Sequence, residues 1–82
     1  MRLQFFGRLT DIAGRAPREV ILPEGVEDVA ALRHWLGECE SELAVALASP
    51  GVRAVVDDAI VDEAHLLSGA REIAFIPPVS GG

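Results

Sequence analysis

Few side chains in this 82-residue chain have types and positions suited to catalysis. His34 falls on the polar side of a helical pattern, and His65 follows acidic residues in a turn-like segment. Cys39 belongs to an apolar stripe, where a cysteine behaves as a small buried hydrophobe. A nucleophilic cysteine is favoured by a cationic neighbour or a helix N-terminus, whereas Cys39 lies between Glu38 and Glu40. We therefore predict surface histidines, a buried structural cysteine and no internal catalytic centre.

Acidic residues are concentrated between positions 57 and 63, which raises the question of a metal site. They are Asp57, Asp58, Asp62 and Glu63. Their spacing does not follow that of a calcium-binding loop, and aspartates are common in tight turns. We interpret them as turn-forming and solvated residues, and we predict no metal site.

The C-terminal residues 75–82 are the remaining candidate for chemistry. Pro77 and Pro78 cannot donate to a sheet ladder, so they end the last strand and stiffen an extended exit. Gly81 and Gly82 have no side chains, which lets the walls of a channel approach the backbone closely. Such a tail is suited to entering another protein and presenting a terminal carboxylate there. A frayed, non-reactive terminus is the alternative that these residues leave open.

Size and charge restrict the classes of site and partner. A chain of this length makes one domain with a small core, which leaves little room for an enclosed pocket of about 300 Å³ or more. It has 13 acidic and 7 basic residues, and every basic residue is an arginine. These scattered arginines do not favour binding to nucleic acid or an anionic membrane, so a basic protein surface is the expected partner. The absence of lysine excludes Schiff-base chemistry and side-chain isopeptide acceptance on this chain.

Cysteine usage and hydropathy indicate the compartment. A single cysteine cannot form an internal disulfide, which is typical of a reducing environment. No run of about 18 apolar residues occurs, and the N-terminus lacks the regions of a secretory signal. We therefore expect a soluble, cytoplasmic protein.

The elements that must position the tail follow from the hydrophobic periodicity. Residues 1–6 alternate between apolar and polar, which predicts a half-buried strand, and residues 18–22 predict a second strand that pairs with it. Residues 7–17 predict a loop with one helical turn. Asp28 is the expected N-cap of an amphipathic helix, and residues 43–48 predict a second short helix. The apolar stripe comprises Val29, Leu32, Leu36, Cys39 and Leu43.

Short strands dominate the second half of the chain. Segments 53–56 and 60–61 predict strands that flank a tight turn, and residues 72–76 predict the last strand. Leu66 and Leu67 are expected in the core. This order of elements predicts an α+β fold, in which a mixed sheet has one main helix packed on one face.

Several stretches of the chain match one known family. Residues 3–14 match its first strand and following loop, residues 28–33 its helix start, and residues 69–75 the approach to its tail. The ending at 76–82, Ile-Pro-Pro-Val-Ser-Gly-Gly, is the most specific of these matches. On these residues the chain resembles the small, sulfur-carrying subunits of molybdopterin synthase, which are ubiquitin-like β-grasp proteins. It departs from their pattern at the Asp57-Asp58 hairpin and at Ala70-Arg71.

The resemblance implies a fold and a chemistry. It implies a β-grasp domain over residues 1–76 and a flexible tail over residues 77–82. In this family an adenylating enzyme, similar to ubiquitin activators, uses ATP to convert the terminal carboxylate to an acyl-adenylate. A sulfur donor then leaves a thiocarboxylate, whose sulfur passes to a cyclic pterin precursor inside the large synthase subunit. The chain itself would bind no cofactor and would act as a non-catalytic carrier.

The resemblance also assigns roles within the tail. Gly82 would carry the reactive carbonyl, and Gly81 would pass through the tight channel of the partner. Val79 and Ser80 would contact the channel wall, although Ser80 as a simple polar spacer is an open alternative.

Residues just before the tail complete the implied site. Pro77 and Pro78 would aim the tail towards the partner. Phe75 and Ile76, with outward apolar residues near the last strand, would form a hydrophobic docking surface. A core position is the alternative for Phe75.

Other functions remain compatible with the same residues. A related sulfur carrier could serve the synthesis of the thiamine thiazole or of cysteine. A ubiquitin-like modifier would instead join its terminus to lysines of target proteins. A binding module with a non-reactive tail is the third alternative.

Overall fold

Within residues 1–78, which are those that the computed structural model describes, a five-stranded mixed sheet is combined with three helices. The strands are β1 (Arg2–Phe5), β2 (Arg18–Glu19), β3 (Arg53–Val56), β4 (Ala59–Val61) and β5 (Glu72–Ile76). The helices are α1 (Thr10–Ala13), α2 (Val29–Cys39) and α3 (Ser41–Leu47), and a 3-10 turn at Gly7–Leu9 precedes α1. This arrangement confirms the predicted α+β class, and it places a helical turn in the predicted loop.

The sheet has the strand order β2-β1-β5-β3-β4. At its centre β1 and β5 are parallel, with Phe5 opposite Phe75, and the other neighbours are antiparallel. The alternation predicted for the first strand is confirmed, because Leu3 and Phe5 are buried. The first and last strands therefore lie side by side, and the segments that follow them leave the sheet at the same end.

The hairpin between β3 and β4 has the predicted tight turn. Asp57 and Asp58 both have positive φ values, 46° and 72°. Two left-handed residues in succession are the mark of a type I′ turn, whose twist matches that of paired strands. The carboxylate of Asp57 also accepts hydrogen bonds from the backbone N–H groups of Arg71 and Glu72, at 3.1 and 3.0 Å. These contacts give Asp57 a structural role, as the sequence predicted.

The start of α2 is capped as expected. The Oδ1 atom of Asp28 accepts a hydrogen bond of 2.8 Å from the backbone N–H of Ala31. The helix ends at Cys39, because Glu40 adopts an extended conformation and α3 begins at Ser41. Leu43, which continues the predicted stripe, therefore enters the core from α3 and not from α2.

Three expectations about local structure were wrong. Cys39 is exposed, because the break at Glu40 redirects the chain and Leu43 supplies the next core side chain. Leu66 is 65% exposed, because only its neighbour Leu67 turns inwards from that extended segment. The second strand ends at Glu19, and Ile21 beyond it is 94% exposed.

Among the helices described for residues 1–78, none is long and apolar enough to cross a bilayer. The longest, α2, has 11 residues and reaches the core through Val29, Leu32 and Leu36. A membrane-spanning helix needs roughly 20 apolar residues.

The close approach of α2 and α3 depends on Gly37, because glycine has no Cβ atom. A Cβ atom built on Gly37 would lie 2.8 Å from the Cβ and 3.0 Å from the Cα of Ala44. Alanine is better than glycine in a helix by about 1 kcal/mol, but overpacking costs about 1–3 kcal/mol. We expect Gly37→Ala to lower the free energy of unfolding in urea, despite its gain in helix propensity.

The matched control is the same substitution in an Ala44→Gly background. There the added methyl group loses its nearest neighbour, so Gly37→Ala should cost less than in the wild-type chain. Stabilisation of the wild-type chain by Gly37→Ala would show that the two helices do not need this close approach.

Candidate functional site

The base of the C-terminal tail is held between two turns of the domain. A Cβ atom built on Gly7 would lie 2.5 Å from the Cγ of Pro77, and one built on Gly51 would lie 2.7 Å from the Cβ of Pro78. Both glycines have positive φ values, +59° and +86°, which L-residues with side chains rarely adopt. The two prolines therefore pack on bare backbone, one on each side of the exit from β5.

The last strand anchors this exit in the core. Phe75 is fully buried, and its ring stacks on that of Phe5 with 5.9 Å between centroids. Of the two positions left open for Phe75, docking surface or core, the structure shows the core, because its side chain points inwards between the sheet and the helices. Ile76, the next residue, lies on the opposite face of the sheet and is half-buried.

The outer face of the sheet has an apolar area next to the exit. Strand register places Val55 opposite both Ile60 and Ala74, and places Ile76 beside Phe6 at the end of β1. We call the set Phe6, Val55, Ile60 and Ile76, together with the buried methyl group of Ala74 between them, the outer-face patch. Ile60 is 61% exposed and Phe6 is 43% exposed. Large exposed apolar side chains close to a functional segment are typical of a protein-binding surface.

A shallow hollow of about 200 Å³ lies on the helical side of the same exit. Leu9, Ile12 and Val52 supply apolar walls, Arg8 supplies a cation, and both prolines form part of the lining. The tail base is thus flanked by apolar surface on its helical side as well as on its outer side. A partner that encloses the tail can contact both.

Other residues considered for chemistry are separate from this exit. His34 and His65 are exposed, as predicted, and the Nε2 atom of His34 lies 3.5 Å from the carboxylate of Glu38. Within residues 1–78 no group of three or more His, Cys, Asp or Glu side chains is placed to hold a metal ion. The predicted site residues Val79, Ser80, Gly81 and Gly82 lie outside the described residues.

Sequence reasoning missed the part played by Arg33, which it placed on the polar side of the helix. The side chain of Arg33 is only 17% exposed and contacts residues 14 to 30 positions away in the sequence. Such contacts have no local periodicity, so no pattern in the sequence could have revealed them.

Comparison with known proteins adds independent information on the whole chain. The model of the ThiS family matches residues 3–82. Over 82 residues the chain is 30% identical to the molybdopterin synthase sulfur carrier subunit of Escherichia coli (strain K12), covering 100% of this chain and 99% of that protein.

Two solved structures have the same ubiquitin-like β-grasp fold. The crystal structure of SAMP1 from Haloferax volcanii superimposes with a TM-score of 0.78, at 20% identity, over 99% of this chain and 97% of that one. A Pyrococcus furiosus protein provisionally assigned as subunit 1 of a molybdopterin converting factor gives a TM-score of 0.75, at 21% identity, over 95% of each chain. At these identities the likeness concerns the fold alone, and it confirms the predicted β-grasp architecture.

The contact between Gly51 and Pro78 can be tested by substitution. Gly51→Ala should lower the free energy of unfolding by more than about 1–2 kcal/mol, because it combines left-handed strain with a clash against Pro78. The ¹³Cα chemical shifts of Pro77 and Pro78, measured by NMR, should move in this variant.

Gly69→Ala is the matched control. Gly69 has a similar φ of +78°, but a Cβ atom there would meet nothing within 4 Å. We expect it to cost only the backbone strain and to leave the proline shifts unchanged. Equal effects of the two variants on stability and shifts would contradict the packing role of Gly51.

Proposed function

The chain belongs to the ThiS family, and from this premise we propose that it is the sulfur carrier subunit of a molybdopterin synthase. The observation that carries the proposal is the match to the Escherichia coli carrier, which extends over the full length of this chain. The tail base supports it, because Pro77 and Pro78 are seated on the domain where a threaded tail must begin.

The proposed chemistry takes place at the carboxylate of Gly82. A carboxylate is a poor electrophile, because attack by a nucleophile would have to expel oxide. An adenylating partner overcomes this with ATP: the carboxylate displaces pyrophosphate and becomes an acyl-adenylate. A sulfur donor protein then supplies sulfur at the oxidation level of sulfide; this sulfur bonds to the acyl carbon, the bond to AMP breaks, and the products are AMP and a thiocarboxylate. Its sulfur is the nucleophile delivered to the cyclic pterin precursor, with the catalytic groups on the large synthase subunit.

The contribution of this chain is to position that terminus. Holding a reacting group in the correct geometry removes much of the entropic cost of a bimolecular step. The seats of the two prolines at Gly7 and Gly51 fix where the tail leaves the domain. We propose that the outer-face patch docks against the partner, and that Val79, Ser80 and Gly81 line up within its channel.

Charge supports the choice of partners. The chain has a formal net charge of -6, so a docking surface with complementary basic residues would speed association. We propose that the large subunit and the adenylating enzyme carry such surfaces, and that the three proteins meet in the cytoplasm.

A sulfur carrier for the thiamine thiazole is the second candidate. The match to the ThiS family model favours neither pathway by itself, whereas the curated relative favours the molybdopterin pathway. Supplying the loaded carrier to a large synthase subunit with the pterin precursor, and identifying the product by mass spectrometry, distinguishes the two.

Sulfur loading is the first prediction of the proposal. After incubation with the adenylating enzyme, ATP and a sulfur source, intact-mass measurement should show one oxygen of the chain replaced by one sulfur. Fragment masses should place the change on Gly82. An unchanged mass with a demonstrably active enzyme would contradict the carrier function, and lysine-linked adducts on other proteins would favour a modifier.

Two variants control this measurement. Because Cys39 is exposed, it can acquire sulfur as a persulfide, which adds sulfur without removing oxygen. Cys39→Ser should therefore remain fully loadable. Deletion of Gly82 should abolish loading and leave the thermal melt nearly unchanged. A large loss of stability on that deletion would mean that the terminus serves the fold instead.

The outer-face patch gives a further prediction. Ile60→Ser should raise the KM of the adenylating enzyme for the carrier by up to about tenfold, as expected for loss of one buried interface side chain. The fold should tolerate the change, because Ile60 is 61% exposed on the edge strand β4.

Ile21→Ser is the matched control for docking. Ile21 is 94% exposed and follows β2 at the opposite edge of the sheet. Its replacement removes the same apolar side chain far from the tail exit, so the KM should stay at the wild-type value. Equal KM values for the two variants would exclude the outer-face patch as the docking surface.

A further inference from the structure

Arg33 joins three segments of the domain through one guanidinium group. Its Nη1 donates to the carbonyl oxygen of Leu47 at 2.6 Å, and its Nη2 donates to that of Val52 at 2.8 Å. Its Nε and Nη2 also donate to the two carboxylate oxygens of Glu63, at 2.7 and 3.0 Å. The side chain of Arg33 is 17% exposed, so its bonds to the two carbonyl oxygens are partly shielded from competing water, whereas the side chain of Glu63 is 51% exposed and its bonds lie at the surface.

The same group touches the last strand just before the tail. The guanidinium carbon of Arg33 lies 5.1 Å from the centroid of the Phe75 ring, within the range of a cation–π contact. Phe75 is two residues before Pro77. Arg33 therefore contacts the strand that carries the prolines from beneath, on the helical side of the sheet.

The bonds to carbonyl groups also fix one seat of the prolines. Leu47 ends α3, and Val52 directly follows Gly51, so the two hydrogen bonds clamp both ends of the loop at 48–51. Gly51 is the residue on which Pro78 packs. Other hydrogen bonds also hold this loop, since the backbone N–H groups of Ser49 and Val52 donate to the carbonyl groups of Ala46 and Ser49, but those bonds are local. Among the hydrogen bonds described for residues 1–78, only that of Arg33 ties the Val52 carbonyl to α2.

We propose that Arg33 is a positioning residue for the reactive tail. It fixes the position of the loop under Pro78 relative to the ring of Phe75, and so sets the direction in which the tail leaves the domain. This inference rests on the proposed carrier function. The contacts described for Arg33 are with Leu47, Val52, Glu63 and Phe75, so it acts on the tail through the loop that contains Gly51 and through Phe75.

The proposal requires arginine and not merely a positive charge. The guanidinium is planar, so it can stack on a ring while its edge donates to several oxygens in the same plane. A lysine ammonium is a compact point charge that cannot meet the Leu47, Val52 and Glu63 oxygens together while stacking on Phe75. Arg33→Lys therefore keeps the charge and removes the clamp.

The test measures adenylation kinetics of Arg33→Lys at a temperature where circular dichroism shows the variant to be folded. Docking through the outer-face patch is intact, so the KM for the carrier should stay within about twofold of wild type. The kcat should fall about tenfold to a hundredfold, because the terminus reaches the enzyme in the wrong direction. A merely structural role would lower stability and leave the kcat of the folded fraction unchanged.

Arg18→Lys is the matched control. Arg18 has the same kinds of contact: it binds Glu40 at 2.6 Å and the carbonyl of Ala13 at 2.6 Å, and lies 5.5 Å from the Phe5 ring. The contacts described for Arg18 include neither the loop at 48–51 nor the Phe75 ring, and its ring partner Phe5 lies on the Gly7 side of the exit, so this control isolates the clamp on the seat of Pro78. We expect this variant to lose stability and to keep the wild-type kcat.

A readout without any partner separates this inference from the proposed function. In NMR spectra of the free carrier, Arg33→Lys should shift the Gly51 amide and the Pro78 ¹³Cα resonance, whereas Arg18→Lys should not. If the wild-type carrier is never adenylated, the proposed function is wrong. The chemical shifts of Gly51 and Pro78 then still decide whether Arg33 positions the base of the tail. The positioning role is wrong if the wild-type carrier is adenylated normally and folded Arg33→Lys has the same kcat. It is also wrong if Arg33→Lys leaves the Gly51 and Pro78 chemical shifts unchanged.

Discussion

The parallel pairing of β1 with β5 is the contact on which the tail site depends. Phe5 and Phe75 lie opposite each other in this pair, and their stacked rings contribute about 0.5–1.5 kcal/mol beyond simple burial. Because the two strands run in the same direction, the chain after each of them emerges at the same end of the sheet. The turn at Gly7 is thereby placed against Pro77, although the two residues lie at opposite ends of the sequence.

Much of the local structure could be predicted, because it is encoded over a few residues. Four features depend on neighbours in sequence: the alternation in β1, the N-cap at Asp28, the tight turn at Asp57 and the end of β5 before the prolines. The family and fold could be predicted from the Pro-Pro-Val-Ser-Gly-Gly ending together with matches along the chain.

The errors have two sources: one unrecognised break in a helix, and contacts over long sequence distances. Cys39 fits an unbroken helical stripe, but the break at Glu40 transfers the next core position to Leu43 and leaves the thiol exposed. Phe75 and Ile76 are both apolar, and only the pairing of β5 with β1 and β3 determines which of them faces the core. Arg33 shows no local signal, because its partners lie in three other segments.

The small size of the domain explains why positioning has to be built from such contacts. A chain of 82 residues leaves little room to enclose a reaction chamber beside a stable core, so the chemistry proposed for its terminus would take place in a chamber that another protein provides. The carrier can then influence the reaction only through the place and direction in which its tail begins. Very few residues set this place and this direction. Gly7 and Gly51 give the two prolines room to pack, and Arg33 holds the loop beneath Pro78.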